Sequence, residues 1–368
     1  MAPLRVVIVG GGVMGCAIAG KLARRDCQVT VLERAVPGAE ASSAAAGILG
    51  AGAENSADGP LAALCRFSLE LWPDFAQVLL QRTELHIGYD PCGVIEVAYS
   101  AASAGDLQQK SIALAQATGA EPPRWLDAHE LRVRVPDIAV HVCGGLLHAA
   151  DSQVDPQLLM RALAIDAKRC GARFVVGQAV SGIRVEHGQV IAVQCADTQF
   201  SADAVIVAAG AWTDAVTAGL QRRTTIRPLH GELALLDLSA PLFRPVLTWQ
   251  GGYIVPRRDG RVIIGATSED IGFRKRQTAG GLLQLLTMAT AAVPELANAS
   301  LIAHWSGLRP QAADGLPMMG PHPQVRGLHF ASGHHRNGIL LAPATAQLVA
   351  QGVLDAELSH PIEPFLPA

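Results

Sequence analysis

The sequence predicts a protein of mixed α/β class (α+β), in which a parallel-sheet domain is interleaved with an antiparallel-sheet domain. Three observations predict this fold class. The chain has 368 residues, 50% of them hydrophobic and 17% charged, which is enough to build the buried cores of two globular domains. A strand, a glycine turn, a helix and a second strand follow one another at the start, as in a βαβ unit. Strand-like runs with turn signals occupy two later stretches.

The βαβ unit is the stretch LRVVIVGGGVMGCAIAGKLARRDCQVTVLER. Its GxGxxG turn is formed by Gly10, Gly12 and Gly15. Gly10 permits the tight turn, Gly12 lets a pyrophosphate approach the backbone, and Gly15 lets the helix pack closely on the strand. Glu33 ends the second strand, where its carboxylate can bind a ribose diol and would repel a 2′-phosphate. The unit predicts a dinucleotide site and disfavours NADP.

The next segment, GAEASSAAAGILGAG (38–52), is made of small residues, as a backbone needs when it passes close to a large ligand. Ser42 and Ser43 are candidates to cap a helix there, which would leave free amides facing a phosphate or a flavin. This segment favours FAD over NAD. The alternative interpretation is an ordinary alanine-rich helix start.

The middle of the chain begins with a predicted helix, with Pro156 in its first turn and Gly171 just past its end. The following strands have turn signals at His187-Gly188 and around Asp197, which predicts a small meander that returns to the main sheet. The apolar run DAVIVAAGAW is typical of a parallel strand that is buried on both faces and ends beside a ligand.

Residues 85–144 and 226–304 are rich in strand-like pieces such as GGYIVPRRDGRVIIGAT, with a hairpin turn at Asp259-Gly260. We expect Arg257 and Arg258 to be solvated charges of this hairpin. The predicted division gives two segments to a substrate domain and three to a cofactor domain. The substrate segments are 85–144 and 226–304, and the cofactor segments are 1–84, 145–225 and 305–368.

Charge and cysteine content narrow the function further. The net charge of −3 offers no basic surface for nucleic acid. The seven cysteines are scattered without a CxxC pair, so neither a disulfide framework nor a metal site is expected. No apolar run approaches the roughly 18 residues of a membrane span, and no secretory leader is apparent, so we expect a cytoplasmic protein.

Six motifs in order give the chain a family resemblance: GGGVMG, EASSAAAGILGAGAE, VIVAAGAW, GGYIVPRRDGRVIIGAT, GLRPQAADGLPMMG and GHHRNGILLAPAT. With these motifs the chain resembles the glycine oxidase branch of the D-amino acid oxidase family of flavoenzymes, over nearly its whole length. The resemblance implies a Rossmann-type FAD-binding domain interleaved with an antiparallel-sheet substrate domain. It also suggests a homo-oligomer.

The resemblance also implies how FAD is held. Backbone amides of HHRNGIL would face the flavin's pyrimidine edge, and Pro343 predicts a kink or a later start of the helix that follows. No cysteine lies in residues 305–340, so non-covalent FAD is expected. Together with the glycine turn and the strand ends, the candidate FAD-binding residues are Gly10, Gly12, Val13, Met14, Gly15, Glu33, Arg34, Ser42, Ser43, Ala46, Gly47, Ile48, Val180, Gly210, Trp212, Gly333, His334, His335, Arg336, Asn337, Gly338, Ile339 and Leu340.

For the substrate, Arg309 matches the family's carboxylate-binding arginine, Tyr253 the tyrosine that donates to the same carboxylate, and Arg336 a further arginine of the pocket. No side-chain base is expected. Gly251 and Ser268 stand where the family can carry histidine and methionine, which suggests a roomier pocket and a larger amine. His335 stands where an aromatic residue is expected.

The implied activity is oxidation of glycine or another small amino acid to an imine and then to an oxo acid and ammonia, with dioxygen reduced to hydrogen peroxide. The imine would serve thiamine thiazole synthesis. Alternatives are a D-amino acid or hydroxyproline dehydrogenase or oxidase, a sarcosine oxidase-like N-methyl amine oxidase, and an FAD-binding protein without turnover. A role on tRNA, as in a related flavin module, lacks a basic surface.

Overall fold

The computed structural model describes residues 2–55, 58–118, 122–220 and 225–367. In these residues the chain forms nine α-helices and nineteen β-strands. The helices are α1 (Val13–Ala23), α2 (Ala41–Ala44), α3 (Pro60–Thr83), α4 (Ala101–Thr118), α5 (Ala128–Arg134), α6 (Pro156–Arg169), α7 (Thr213–Val216), α8 (Ala279–Ala292) and α9 (Ala342–Val353). Short 3-10 helices lie at Gly210–Trp212, Pro294–Asn298, His335–Asn337 and Glu363–Phe365.

A six-stranded sheet is built around the first strand of the chain. Its neighbours pair in parallel except for the edge pair β18–β19. The order across the sheet is β18 (Met318–Pro321), β19 (Leu328–Ser332), β12 (Ala204–Val207), β1 (Arg5–Val9), β2 (Gln28–Glu33) and β8 (Arg173–Val176). Because the chain continues to opposite sides of β1, a crevice opens beyond its carboxyl end, where open α/β sheets bind ligands.

Both faces of this parallel sheet are covered. Helices α1, α3, α6 and α9 pack on one face, around fully buried side chains such as Ile8, Ile18 and Trp72. A three-stranded antiparallel meander covers the other face, with Val193 and Val205 in the core between the two sheets. It consists of β9 (Val180–Glu186), β10 (Gln189–Cys195) and β11 (Gln199–Ser201), so the predicted meander and its return into β12 are confirmed.

A second sheet of eight strands forms the other half of the molecule. Its neighbours pair antiparallel except for the parallel pair β14–β4. The order is β17 (Ser300–Ala312), β13 (Ile226–Asp237), β16 (Arg261–Gly265), β15 (Gly252–Pro256), β14 (Val246–Trp249), β4 (Val94–Ala98), β6 (Gly144–His148) and β5 (Arg124–Asp127). The mixed α/β class with one parallel and one largely antiparallel sheet is confirmed.

The predicted domain division stays a prediction, and two strands lie across its limits. β6 ends at His148 and β17 ends at Ala312, and both pair inside the eight-stranded sheet. The substrate-side sheet therefore extends past the predicted segment ends at 144 and 304. The small sheet of β3 (Ile48–Leu49) and β7 (Ser152–Gln153) lies beside the segments that join the two halves.

Helix boundaries follow the proline and glycine signals. α6 begins at Pro156, and the side chain of Asp155 accepts hydrogen bonds from the first-turn amides. Gly171 follows its end with φ +98°, a conformation that favours glycine. α9 begins at Ala342 with Pro343 in its first turn, so the later start is confirmed.

None of the helices in the described residues has the length and apolar composition that a membrane-crossing helix requires. All seven cysteines are free thiols.

Candidate active site

A cavity of about 330 Å³ lies where the carboxyl ends of β1, β2 and β12 meet the eight-stranded sheet. This volume is typical of small-molecule sites, which measure roughly 300–1,000 Å³. Most of the predicted site residues line it: Gly10, Gly12, Val13, Met14, Glu33, Arg34, Ser42, Ala46, Gly47, Ile48, Val180, Gly210, Trp212, Tyr253, Arg309, His334, His335, Arg336, Gly338 and Ile339. Five predicted residues are not among the lining residues: Gly15, Ser43, Gly333, Asn337 and Leu340.

The glycine turn places the start of α1 against one end of the cavity. A Cβ on Gly10 would lie 2.4 Å from the carbonyl oxygen of Ala208, and one on Gly15 would lie 1.9 Å from the carbonyl oxygen of Gly10. These two glycines permit close packing of helix and strand. A Cβ on Gly12 would meet only the Ser42 hydroxyl, at 3.1 Å, so the missing side chain there leaves space in the cavity. The turn therefore forms a cradle at the positive end of a helix.

The expectation that Ser42 and Ser43 cap their own helix is wrong. They lie inside α2, whose N-cap position is Glu40, without a side-chain cap. The Ser42 hydroxyl instead accepts a hydrogen bond from the Val13 amide, at 2.9 Å, and so caps α1 across a gap of 29 residues. Because the small residues of α2 face the glycine turn, they complete the same wall of the cavity.

The Glu33 carboxylate is held where it could accept hydrogen bonds from the hydroxyl groups of a ribose. Its Oε2 accepts the Gly11 amide and its Oε1 accepts the Ala35 amide, both at 2.8 Å. Each carboxylate oxygen has a second lone pair. The side chain is thus held in place by the backbone while it can still accept hydroxyl groups.

A cluster of charged and aromatic side chains lies beside Glu33. The guanidinium carbon of Arg34 is 3.6 Å from the ring centroid of Trp212, and Arg34 also pairs with Glu40 at 2.6 Å. Phe273 also contacts Trp212, with ring centroids 5.3 Å apart, and Lys275 lies 3.0 Å from Glu40. Phe273 and Lys275 belong to the loop 268–278, which we call the strap, and which crosses from the eight-stranded sheet to the cofactor side.

The strap is anchored at both ends. Glu269 exchanges two backbone hydrogen bonds with His230, and Thr278 donates its hydroxyl and its amide to the buried carboxylate of Glu232. His230, Glu232 and Glu269 each offer one side-chain nitrogen or oxygen atom of the kind that binds metal ions, and these atoms lie within 4.8 Å of one another. Both carboxylate oxygens of Glu232 accept hydrogen bonds from Thr278, and Nε2 of His304 lies 2.7 Å from Oε2, so Glu232 holds the end of the strap against the eight-stranded sheet.

The far end of the cavity carries the arginines and the tyrosine. Arg309 on β17 lies against the backbone of β13, because a Cβ on Gly231 would be 2.2 Å from its Nη1, and it donates to the Thr267 carbonyl at 3.3 Å. Desolvation raises the pKa of Tyr253 to about 12, although nearby Arg309 opposes this shift, so its phenol stays a donor. Arg336, in the 3-10 helix that follows β19, also lines the cavity.

Two further ionisable groups face this end. Burial raises the pKa of Glu54 to about 7, against the attraction of Arg336. Burial also lowers the pKa of His335 to about 4, with repulsion from Arg309 and Arg336 adding to the shift. The buried His335 Nε2 has no hydrogen-bond partner within the described chain. The site therefore combines two cations, a titratable carboxyl and a neutral imidazole.

Side chains of α3 hold the segment that follows β19. The Leu340 carbonyl accepts the Ser68 hydroxyl at 2.7 Å and the Trp72 indole N–H at 2.9 Å. His334 contacts the Thr345 hydroxyl at 3.0 Å, and burial lowers the pKa of His334 to about 3. The segment is a 3-10 turn before α9, so its amides precede the helix start.

Three residues are placed differently from the expectation. Gly251 and Ser268 are exposed and do not line the cavity, so they neither widen nor reshape it. Arg257 is not a solvated hairpin charge: its side chain is buried and donates to the Gln153 side chain and to the carbonyls of Val154 and Ala46. Its neighbour Arg258 is mostly exposed but pairs with the buried Asp90.

Sequence reasoning missed several wall residues. Gln178 and Ala179 follow β8, which lies next to β2, so their place at the carboxyl edge could have been inferred from the parallel order. Glu54 follows the small-residue segment, where only its charge distinguished it. The remaining unpredicted lining residues are Val9, Leu32, Glu40, Ala41, Ala44, Ala45, Ala208, Ala209, Ala211, Ala215, Val216, Gly231, Leu233, Gly307, Leu308, Pro310, Ala331 and Ser332.

The cavity suits an FAD molecule. The cradle at Gly12 admits a pyrophosphate, the Glu33 carboxylate a ribose, and the unpartnered Nε2 of His335 a polar group at the other end. The cavity runs from Glu33 to Arg309, across both halves of the molecule.

Comparisons with known proteins agree with this geometry. The family described as FAD dependent oxidoreductase matches residues 5–352. The chain is 39% identical over 362 residues to a glycine oxidase of Geobacillus kaustophilus, covering 98% of this chain and 95% of that protein. It superposes on the crystal structure of glycine oxidase from Geobacillus kaustophilus with a TM-score of 0.95, at 38% identity and 99% coverage of both chains.

A third relative is longer. The chain is 36% identical over 364 residues to the bifunctional protein ThiO/ThiG of Trichormus variabilis, covering 96% of this chain but 54% of that protein. The family match spans nearly the whole chain, and the cavity has the walls that an FAD molecule needs. The chain therefore belongs to the family of FAD-dependent oxidoreductases.

Proposed function

We propose that the protein catalyses the oxidation of glycine, or of another small amino acid, by dioxygen. Glycine, dioxygen and water would give glyoxylate, ammonia and hydrogen peroxide. The observation that carries the proposal is the guanidinium of Arg309 beside Tyr253, in the same cavity as the dinucleotide cradle. The high identity to glycine oxidases over both whole chains supports the choice of substrate.

The carboxylate end of the substrate would be bound by Arg309, Tyr253 and Arg336. A guanidinium offers paired N–H donors that match a carboxylate, and the Tyr253 phenol adds a donor that remains protonated at neutral pH. The guanidinium of Arg309 packs against the backbone of Gly231 and donates to the Thr267 carbonyl, and these two contacts restrict its orientation.

The amino end would face Glu54. A small zwitterion bound between two cations needs a negative or neutral acceptor at its other end. Glu54 is the carboxyl group that lines the cavity within the electrostatic reach of Arg309 and Arg336. The ammonium of a bound amino acid would stabilise the Glu54 carboxylate, so that its pKa falls when substrate binds.

The cofactor would lie along the predicted FAD-binding residues without a covalent bond. When bound, FAD accepts the hydride from the substrate's α-carbon and passes the electrons to dioxygen. The start of α1 would receive the pyrophosphate and Glu33 the adenosine ribose. The non-covalent mode is supported by the lining residues, which include no cysteine in the described chain.

Peroxide release tests the function. With FAD added, the purified protein should release hydrogen peroxide with glycine, and Arg309→Lys should raise the KM for glycine about a hundredfold, because a lysine cannot form the paired contact. Arg184→Ala is the matched control, since Arg184 lies exposed on β9 away from the cavity. Sarcosine, D-alanine and D-proline are tested in parallel, and absence of turnover with glycine and with all three of these amines would overturn the proposal.

Three finer proposals accompany this function. The fused relative ThiO/ThiG supports a role in thiamine thiazole synthesis, as the resemblance implies. The seven free thiols support a reducing compartment such as the cytoplasm. A homo-oligomer rests on the family resemblance, and size-exclusion chromatography with light scattering tests it.

A further inference from the structure

Two charged side chains hold the backbone of the segment 50–55, which we call the Glu54 loop. The buried carboxylate of Asp151 accepts the amides of Gly52, at 3.1 Å, and of Ala53, at 2.9 Å. The ammonium of Lys110 donates to the Ala53 carbonyl, also at 2.9 Å. Both backbone polar groups of Ala53 are therefore bound by ionisable side chains, and neither Asp151 nor Lys110 lines the cavity.

A second layer orients Lys110. One carboxylate oxygen of Glu96 lies 2.7 Å from the Lys110 ammonium and 2.7 Å from Nε2 of His148. The ring of His148 lies close under the loop, because a Cβ on Gly52 would be 2.4 Å from its Nδ1. Glu96 and His148 belong to paired strands β4 and β6, and Lys110 belongs to α4, so the eight-stranded half supports the loop.

Burying charged side chains such as those of Asp151, Lys110 and Glu96 costs free energy. Charges removed from water lose hydration that their mutual attraction only partly replaces, and well-packed apolar residues of similar volume often stabilise a fold as well or better. Burial raises the pKa of Asp151, although His148 and the loop amides oppose that shift. The hydrogen bonds to the backbone of Gly52 and, at both of its polar groups, of Ala53 indicate that these charged side chains fix the position of Ala53.

We propose that Asp151 and Lys110 are positioning residues for the substrate's amino group. They fix Ala53, and the residue that follows it, Glu54, is thereby held in the wall that Arg309 and Arg336 share. Glu96 and His148 act through Lys110. This inference rests on the proposed function, in which Glu54 faces the ammonium of the bound amino acid.

The test distinguishes binding of the substrate's carboxylate from binding of its amino group. Acetate has the carboxylate of glycine but no amino group, so it probes Arg309 without Glu54. In the FAD-loaded enzyme, Lys110→Met should raise the KM for glycine about tenfold while the Kd of acetate, measured from the flavin absorbance, stays within about twofold. Lys168→Met, an exposed lysine on α6, is the matched control.

A second variant controls for the possibility that Lys110→Met misfolds. Glu96→Gln keeps the side-chain volume and removes the charge that orients Lys110, and it should raise the KM for glycine in the same sense by a smaller factor. An unchanged KM in both FAD-loaded variants would overturn the inference. A rise in the Kd of acetate equal to the rise in KM would overturn it too, because that pattern indicates a general loosening of the site.

Glu54→Gln distinguishes this inference from the function on which it rests. If Glu54→Gln leaves the KM for glycine unchanged, the proposed contact with the amino group is itself wrong. If Glu54→Gln raises the KM and Lys110→Met does not, only the positioning role of Lys110 and Asp151 fails.

Discussion

The guanidinium of Arg257 donates a hydrogen bond to the carbonyl oxygen of Ala46, at 2.7 Å. Arg257 follows β15 in the eight-stranded sheet, while Ala46 lines the cavity on the cofactor side. The same guanidinium reaches the Gln153 side chain at 2.7 Å and the Val154 carbonyl at 3.0 Å. One buried cation therefore joins the hairpin to the wall against which FAD is proposed to bind.

Replacing Arg257 should destabilise the fold. Burial lowers the pKa of Arg257 to about 10, so it remains charged at neutral pH. Arg257→Met leaves three acceptors without a donor, and we expect the free energy of unfolding to fall by about 3 kcal/mol, measured by urea denaturation. In the adjacent control, Arg258→Met, the side chain is largely exposed and the loss should stay below about 1 kcal/mol. Equal losses would show that burial of Arg257 contributes nothing.

Substrate binding should weaken as the pH falls through about 7. Because burial raises the pKa of Glu54 to about 7, its carboxylate becomes protonated below that pH and loses its attraction for an ammonium. The KM for glycine should rise as the pH is lowered from 8 to 6, while Glu54→Gln should give a high KM without this rise. Steady-state peroxide assays at each pH provide the measurement, and the same slope in both proteins would exclude Glu54 as its cause.

The strap should control how long FAD stays bound. Its contacts with Trp212 and Glu40 are partly exposed, so each contributes little and can open. Phe273→Ser with Lys275→Ala should speed FAD dissociation about tenfold, measured by recovery of flavin fluorescence, while kcat at saturating FAD stays unchanged. Arg274→Ala is the control, since Arg274 donates to the Ile271 carbonyl of the strap itself and does not line the cavity. If the rate of FAD dissociation is unchanged in the double variant, the strap does not retain the cofactor.

Two glycines of the turn should respond differently to alanine. Gly12→Ala places a methyl group in the cavity without contacting backbone, so the protein should fold and lose affinity for FAD. Gly15→Ala would bring a Cβ to 1.9 Å from the Gly10 carbonyl, so it should lower the free energy of unfolding by several kcal/mol. Thermal unfolding and FAD titration distinguish the two outcomes, and normal FAD affinity in Gly12→Ala would contradict the cradle.

The sequence predicted those parts of the fold that local patterns encode. The βαβ unit, the meander and the helix starts at Pro156 and Ala342 follow from periodicity, turns and proline positions. Arg257 was missed because its hairpin position predicts exposure, whereas its acceptors lie about a hundred and two hundred residues earlier in the chain.

Most predicted site residues in continuous motifs line the cavity, whereas contacts between residues far apart in the chain were not predicted. Ser42 was assigned to its own helix, although its partner is Val13 on another one. Glu54 is the last residue of the motif EASSAAAGILGAGAE, but the motif assigns it no role, and its placement depends on Asp151 and Lys110, which no local pattern connects to it. Side chains that meet only after the sheets pair cannot be identified from spacing alone.

The interleaved order of the cavity walls has a consequence for biogenesis. The cradle at Gly12 is made first, but β19 and the segment through Ile339 that close the opposite wall are made last. Until these later segments have left the ribosome, β12 lacks its neighbour β19 and the flavin compartment has an open side. We therefore expect FAD to bind only after synthesis has passed Ile339, so that an apo form with an open cavity precedes every loaded molecule.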